Sequence, residues 1–470
     1  MSASPYVSPA PGDPPMWGAD DDIDIDITDD GLATGHRRMA IRLAREHGDS
    51  MMHVHGLGWF CWDGTRWAED GGGKRSRLNV IRVLQKAAAE SVGSSKELRT
   101  DVARCESASG IEGVLKVAEV LPPFSVPIEA LDANPYLLNC ANGTLDLETL
   151  RLRGHDRHDR LTKVTTGRYV GHPCGPVWGR FLAEVLPDEP VREYLRRYVG
   201  LALVGTVLEH LLAILTGSGR NGKGVFYGAV NHALGDYAGV PDPNLFLHRE
   251  GVHPASEMEL RGKRWIVVSE NNAGQRLAEA TVKRLTGGDT ISARRLYGPW
   301  VTFQPVHMAA LVTNHLPRVS SDDEALWARL RVVPFNVRIA EADQDVHLAE
   351  TLRTEADAVL SWAVAGWAAY QAGGMAEPDA VKVATDRYHL ASDAISRFLE
   401  ECCLFGPHLT VVPSLLYERW KDWASGEMDV PPMNVTAFGR EMTKRGYPVA
   451  PDKRVRRGLT LAHYDGGKAS

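Results

Sequence analysis

One stretch restricts the fold more than any other: LLAILTGSGRNGKGVFYGAV, which begins at Leu211. Its apolar run Leu211 to Leu215 has the length of a buried strand, and Gly217, Gly222 and Lys223 then spell G-x-x-x-x-G-K ahead of a helix-compatible segment. Strand, loop and helix in that order form a phosphate-binding P-loop. Glycines let successive backbone N–H groups turn inward onto phosphate oxygens, the helix N-terminus adds its dipole, and a lysine reaches the terminal phosphates. The expected cradle is Gly217, Ser218, Gly219, Arg220, Asn221, Gly222, Lys223 and Gly224. Gly224 stands where a Ser or Thr hydroxyl would meet Mg²⁺, so water, Thr216 or Ser218 would have to hold the ion. Taken alone, such a loop could also be a Gly-rich turn.

Two downstream strands support the phosphate reading. The run Trp265 to Val268 ends in Ser269-Glu270, where a carboxylate at a strand's C-terminal end can polarise water and organise Mg²⁺. A second run, HMAALVTNHLP, ends in Asn314, a neutral amide suited to orienting a γ-phosphate or the attacking water. Either residue alone would pass for an ordinary turn residue. Cradle, cation, carboxylate and amide together make up what ATP hydrolysis requires. Residues 209–340 alternate apolar strands with helices, the pattern of an α/β nucleotide-binding core.

Charge distribution qualifies the partners. The 470 residues carry 53 Lys and Arg against 60 Asp and Glu, net −7. Residues 1–30 alone contain eight Asp and no Lys, Arg or Glu, so the other 440 residues are net +1 (53 against 52). That acidic, Pro-containing tail cannot bury enough apolar surface to fold and reads as disordered, a candidate competitor for a DNA-binding surface. Its Asp24 and Asp26 form a D-x-D, but the segment lacks the sheet a polymerase metal site would need. With 44% hydrophobic residues the chain can bury a sizeable core, and its length suggests roughly two to four domains. No apolar run approaches the roughly 18 to 20 residues of a membrane span, and no secretory signal precedes the tail, so a cytoplasmic location is expected. Six scattered Cys fit a reducing compartment. His53 and His55 form an H-x-H without further ligands nearby, so packing or surface roles are expected.

Along the chain, Met39, Ile41, Leu43 and Ala44 suggest a helix ending at Gly48; Trp59, Phe60, Trp62 and Trp67 flank an Asp63-Gly64 hairpin turn. A helical stretch (Asn79 to Val92) precedes a second hairpin at Asn142-Gly143. Residues 31–175 are therefore read as an α+β N-terminal domain, 176–208 as a helical collar and 209–340 as the ATPase core. Residues 341–389 read as a helical lid, with one helix over 345–371, and 390–470 as a C-terminal DNA-binding domain. In the last, helices around Leu415 to Trp423 and Val435 to Lys444 precede a basic ribbon; Arg440 to Lys468 holds eight Lys or Arg against three Asp or Glu.

The segments GSGRNGKG, WIVVSE, VKRLTGGDTISARRLYGPWVTFQP, LVTNHLP and WARLRVVPF resemble the motif series of superfamily 3 helicases. The likeness is to the phage and plasmid primase-helicase type shared with the poxvirus helicase-primase. WFCWDGTRW and YLLNCANGTLDLET resemble the region preceding the helicase there, so the likeness covers roughly residues 31–340. It implies a P-loop AAA+-like core with an α+β N-terminal region and a C-terminal winged helix, using ATP and Mg²⁺. Lys223 would bind phosphate, Glu270 would be the motif B carboxylate near the metal, and Asn314 the sensor. Arg329, with Arg331 as the second choice, would be an arginine finger completing a neighbour's site, which implies a ring, normally a hexamer. Lys283, Arg294, Arg295 and Tyr297 match the DNA-gripping hairpin motif, charge and stacking suiting a threaded single strand. For Lys283 the alternative is a solvated helix face. On the wing, Lys453, Arg454, Arg456 and Arg457 would face phosphates, a soluble cap being the alternative. Ser269 precedes Glu270 where many P-loop enzymes have Asp, a second departure bearing on Mg²⁺.

The expectation is an ATP-dependent DNA helicase of a phage, prophage or plasmid replication system in a bacterial host, acting on single strands and forks. Only the 30-residue tail precedes the N-terminal region, so a primase-polymerase domain is expected to be absent and a separate primase to do the priming. Two rivals differ in class: a replication scaffold with decayed hydrolysis, as Gly224 permits, and another ring ATPase such as a packaging motor or initiator.

Overall fold

A computed structural model describes residues 31, 33–93, 95–172, 175–248, 254–269, 275–296, 298–319, 323–392, 394–427, 433–451 and 454–462. The acidic tail lies outside the described residues, as do Glu270, Tyr297 and Lys453. The chain divides into two compact units, one formed by residues 1–63 and 67–131 and the other by 64–66 and 132–470.

The first unit orders α1 (Gly35–His47), β1 (Met51–Val54), β2 (Gly58–Trp62), β3 (Trp67–Glu69), α2 (Lys74–Ser91), α3 (Lys96–Cys105), α4 (Ala108–Ala118) and β4 (Ser125–Val126). Its sheet runs β3-β2-β1-β4, with β4 parallel to β1 and the other pairs antiparallel. The expected hairpin forms, with Trp62 opposite Trp67 and Phe60 opposite Glu69. Met39, Leu43, Val80, Leu84, Val102, Val114 and Phe124 share one buried cluster, so all four helices cover the same core. Ser95 and Ser107 cap α3 and α4 by accepting from Leu98 N–H and Gly110 N–H. Helix α2 starts at Lys74, five residues before the periodic apolar pattern suggested, because Asp70 accepts from the N–H groups of Arg75 and Ser76.

The second unit opens with an antiparallel ribbon of β5 (Leu137–Cys140), β6 (Gly143–Asp146) and β7 (Arg151–Arg153). The expected second hairpin forms, its two-residue turn at Ala141-Asn142 one position ahead of Asn142-Gly143, with Gly143 already paired to Cys140. Although read from sequence as part of the N-terminal domain, this ribbon packs within the second unit: Leu138, Leu145 and Leu147 join the largest apolar cluster. Helices α5 (Pro176–Val185) and α6 (Glu189–Leu201) follow, interrupted at Pro187. Next come β8 (Leu212–Thr216), α7 (Lys223–Leu234), β9 (Ala238–Gly239), β10 (Trp265–Ser269), α8 (Glu279–Gly287), β11 (Ile291–Arg294), β12 (Trp300–Phe303), β13 (Met308–Thr313), α9 (Glu324–Trp327) and β14 (Leu330–Pro334). Five strands form an all-parallel sheet in the order β14-β8-β13-β10-β9, and β11 with β12 makes a separate hairpin. The four longer strands are apolar nearly throughout, as parallel strands covered on both faces must be.

The span expected as one helix over 345–371 is two, α10 (Leu348–Thr354) and α11 (Ala356–Gly373). At the break the Glu355 carboxylate accepts from the N–H groups of Val177 and Trp178, satisfying orphan donors at the start of α5. Helix α11 packs on α6 with Gly200 and Gly366 at the contact, each facing the other helix's backbone too closely for a side chain. Around Phe226 of α7, Trp178 stacks at 5.9 Å and Trp362 meets it edge-on at 6.3 Å, so the helix after the glycine-rich loop is anchored by a fully buried ring. The chain closes with α12 (Asp379–Ser392), α13 (Ala394–Cys402), β15 (Cys403–Val411), α14 (Pro413–Glu427), α15 (Val435–Lys444) and β16 (Arg456–Leu461). β15 and β16 pair antiparallel, and Phe398, Trp420, Trp423 and Phe438 centre a cluster of their own. No helix among the described residues is long and apolar enough to cross a membrane.

Candidate functional site

Because the central sheet is parallel, Thr216, Ser269, Thr313 and Pro334 end their strands along one edge. The glycine-rich loop leaves this edge after Thr216, and Asn314 leaves it one strand away. Positive φ at Gly219 (88°), Arg220 (51°) and Gly222 (79°) curls the loop back on itself before α7 begins at Lys223. Clasps fix that curl: Asn221 Nδ2 donates to Phe335 O at 3.1 Å, Phe335 N–H to Thr216 O at 2.8 Å, and Ile339 N–H to Arg220 O at 2.9 Å. Arg220 also pairs with Glu341 at 3.1 Å. Gly217 admits no Cβ, since the Asn221 amide and the Phe335 carbonyl already occupy that space.

Lys223 sits at the centre. Its Nζ donates to Gly217 O at 2.8 Å and to Asn314 Oδ1 at 3.2 Å, and the residue is 5% exposed. Burial pushes its pKa below the usual lysine value, because the ammonium has exchanged water for neutral oxygens. A buried cation held by two uncharged acceptors is short of a counter-charge, which an anion at the glycine-rich loop would supply. Gly224 is exposed, with open space where a Cβ would be. Among the described residues no cluster of three His, Cys, Asp or Glu could hold a metal ion.

Beside Gly222 and Arg220 opens a cleft of about 370 Å³, lined by Phe181, Val225, Ile339 and Leu348 with Arg180 and Glu184 at its polar side. It was not legible in the sequence, since segments around 180, 225 and 345 build it jointly. The volume and mixed lining suit a small aromatic ligand group.

Arg329 belongs to the opposite edge. It precedes β14, and its carbonyl accepts from Leu212 N–H, the first residue of β8, at 2.8 Å. The length of β8 separates it from the loop, roughly 15 Å at strand rise. Its side chain donates to Ala325 O, while Nε is buried without an acceptor. Arg331 is held by Glu377 at 2.9 Å.

The nucleic-acid candidates separate. In the β11–β12 hairpin Ile291 and Ala293 face inward and Arg294 outward, its guanidinium 4.9 Å from the Trp300 ring centre; Arg295 follows on the exposed side. Lys283 does not join them. It pairs with Asp323 at 2.6 Å, and Arg284 pairs with Glu257, so both charges are compensated within the chain. At the C-terminus Arg454 and Arg457 are exposed, but Arg456 turns inward and is 4% exposed. Its guanidinium donates to Thr443 Oγ1, Tyr447 O and Gly439 O. Period-two alternation along β16 sends neighbouring arginines to opposite faces, which corrects the expectation that Arg456 meets phosphates. His53 is half-buried against the Trp59 ring at 5.1 Å.

The family model described as "D5 N terminal like" matches residues 40–187, and a family of unknown function (DUF5906) matches residues 215–329. "Putative helicase L207/L206" of Acanthamoeba polyphaga mimivirus is 33% identical over 213 residues, 44% of this chain and 22% of that protein. "Putative helicase 022R" of Frog virus 3 is 30% identical over 266 residues, 52% of this chain and 27% of that one. Over residues 40–187 the chain is thus D5-like, and the relatives it resembles are viral putative helicases and primases. "Putative primase C962R" of African swine fever virus (isolate Warthog) is 27% identical over 230 residues, 47% of this chain and 24% of that protein. This D5-like chain thus spans about a quarter of the length of these relatives. Among solved structures, the C-terminal region of NrS-1 aligns at 10% identity and TM-score 0.38, over 63% of this chain and 77% of that one, too slight a likeness to carry an argument.

Proposed function

We propose that the chain is an ATP-dependent DNA helicase of superfamily 3 that works in the replication of a phage, prophage or plasmid inside a bacterial cell. The observation that carries this reading is the buried Lys223 ammonium between Gly217 O and Asn314 Oδ1, at the C-terminal edge of a parallel sheet ordered β14-β8-β13-β10-β9. That order, with loop strand β8 between β14 and β13, is what a P-loop AAA+-like core would have. Lys223 and the loop amides of Ser218 to Gly224 would hold the phosphates of ATP, and the cleft beside Gly222 its base. Asn314 would sense the γ-phosphate. Glu270, the next residue in the sequence after Ser269, would direct the attacking water and help place Mg²⁺, which supplies charge neutralisation on the phosphates.

Arg329 is separated from its own loop by the length of β8, so as a finger it would act on a neighbour's nucleotide. That supports a ring, with a hexamer as the working number. Arg294, Arg295, Tyr297 and Trp300 on the hairpin would grip the single strand, and Arg454, Arg457 and Lys453 of a winged-helix unit would contact phosphates. A separate primase would supply primers.

DNA-stimulated ATPase and fork unwinding, measured on wild type and on Lys223→Ala, test the reading. Loss of both activities in the variant is expected, and equal background rates in the two proteins would favour the non-motor scaffold that Gly224 permits. Mixing Lys223→Ala with Arg329→Ala subunits should change activity more than dilution does, and strict proportionality would remove the shared site.

A further inference from the structure

The first unit carries a feature that the motor reading does not use. A groove of about 330 Å³ lies beside α2 and the end of β2, and His47, Trp62, Arg75, Leu78, Asn79 and Arg82 are among the residues that line it. Arg75 and Arg82 are seven residues apart on α2, two helical turns or about 10 Å. Between Gly71 and Ala89 the chain has five basic residues and no acidic one. Two of the five are neutralised, Arg77 by Glu112 and Lys86 by Glu46. Lys74, Arg75 and Arg82 have no carboxylate at ion-pair distance among the described residues, and none lines the groove. Asp70, the carboxylate that acts on Arg75, already accepts from two backbone amides. Arg82 donates to Asn79 Oδ1 at 3.0 Å, which orients its guanidinium without cancelling the charge. Burial holds His47 below its usual pKa and Arg82 adds to the shift, so the imidazole is neutral near pH 7 and the site's charge comes from arginine alone.

We infer that this groove binds single-stranded nucleic acid, one base lying against Trp62 and Leu78 and the flanking backbone phosphates on Arg75 and Arg82. The half-exposed indole and the 44% exposed Leu78 supply an apolar platform beside two cations, the combination that holds a strand regardless of sequence. A phosphorylated peptide would engage the arginines but leave the ring unused. The groove belongs wholly to the first unit and needs neither nucleotide nor Lys223.

Fluorescence anisotropy of the full chain with a labelled oligo(dT) of about 20 nucleotides tests this, without ATP and over roughly 50 to 300 mM salt. All variants carry Arg294→Ala and Arg295→Ala, so that hairpin binding does not mask the groove. Adding Arg75→Gln and Arg82→Gln should weaken binding about tenfold and flatten the log–log salt slope by about 1.4, two phosphate contacts at ~0.7 each. Trp62→Leu should weaken binding about fivefold or more with the slope unchanged. Since Trp62 also touches Trp67 at 5.9 Å and its loss could disturb folding, photocrosslinking of a 5-iodouracil oligonucleotide to the hairpin variant gives a second readout, expected between residues 59 and 82. Unchanged affinity and slope in the double glutamine variant would overturn the inference. So would crosslinks confined to other segments, or an equal loss on a blunt duplex.

Discussion

Gly224 tests how closely the proposed nucleotide site follows P-loop chemistry. It is the second residue of α7, it is exposed, and no atom lies within 4 Å of where its Cβ would stand. Gly224→Ser therefore adds a hydroxyl without a clash, and replacing glycine in a helix should stabilise by about 0.3 to 0.5 kcal/mol. For a unit of this size that shifts Tm by no more than about 1–2 °C. Should the hydroxyl face the ion, it would replace one water ligand in a charge-assisted contact worth about 0.5 to 1.5 kcal/mol. The Mg²⁺ concentration for half-maximal ATPase should then fall between about twofold and tenfold. The assay is DNA-stimulated ATPase against free Mg²⁺ for wild type, Gly224→Ser and Gly224→Ala, with Lys223→Ala as the blank. Alanine offers the helix gain without the oxygen, so its Mg²⁺ curve should overlay wild type while serine shifts left. Coincident serine and alanine curves would refute the reasoning and mean that position 224 faces away from the ion.

Three further outcomes follow from the packing. Gly366→Ala would drive a methyl into the Arg196 carbonyl at the α6–α11 contact, costing about 1–3 kcal/mol, and an unchanged melting temperature would show that the helices can part freely. Arg456→Ala should destabilise the chain by about 2–4 kcal/mol because it strips donors from Thr443, Tyr447 and Gly439, whereas Arg457→Ala should leave urea midpoints unaltered; equal midpoints for both would contradict the inward assignment. Burial holds the His307 imidazole at a pKa of about 4, with neither ring nitrogen hydrogen-bonded. In the unfolded chain it protonates near 6.5, so the unfolded state binds the extra proton and stability is lost as pH falls from 6.5 to 4, by up to roughly 3 kcal/mol. His307→Leu should flatten that dependence, and identical pH profiles for the two proteins would reject the assignment.

Local chemistry made much of this legible in advance. The two hairpins expected at Asp63-Gly64 and Asn142-Gly143, the strand before the glycine-rich loop and the helix after it depend on residues within a few positions of each other, and all formed within a residue of where the residues indicated. Features set by distant partners were not legible. One long helix was expected over 345–371, but the Glu355 carboxylate is drawn to the N-terminus of α5, 178 positions away, and breaks it. Lys283 and Arg456 were expected on DNA from their place in segments resembling a gripping hairpin and a wing. Distant partners alter both settings: Asp323 pairs with Lys283, and a trio of oxygens between Gly439 and Tyr447 turns Arg456 inward.

By itself, then, the sequence determined the glycine-rich loop, its lysine and the alternation that makes a parallel sheet, because backbone freedom at glycine and apolar periodicity act over short spans. Only the tertiary structure decided which strands adjoin, and with them that Asn314 meets Lys223 while Arg329 lies at the far edge. Strand order and ion pairing are contests among all segments for burial and charge compensation, and the winner depends on where the whole chain can place its apolar faces.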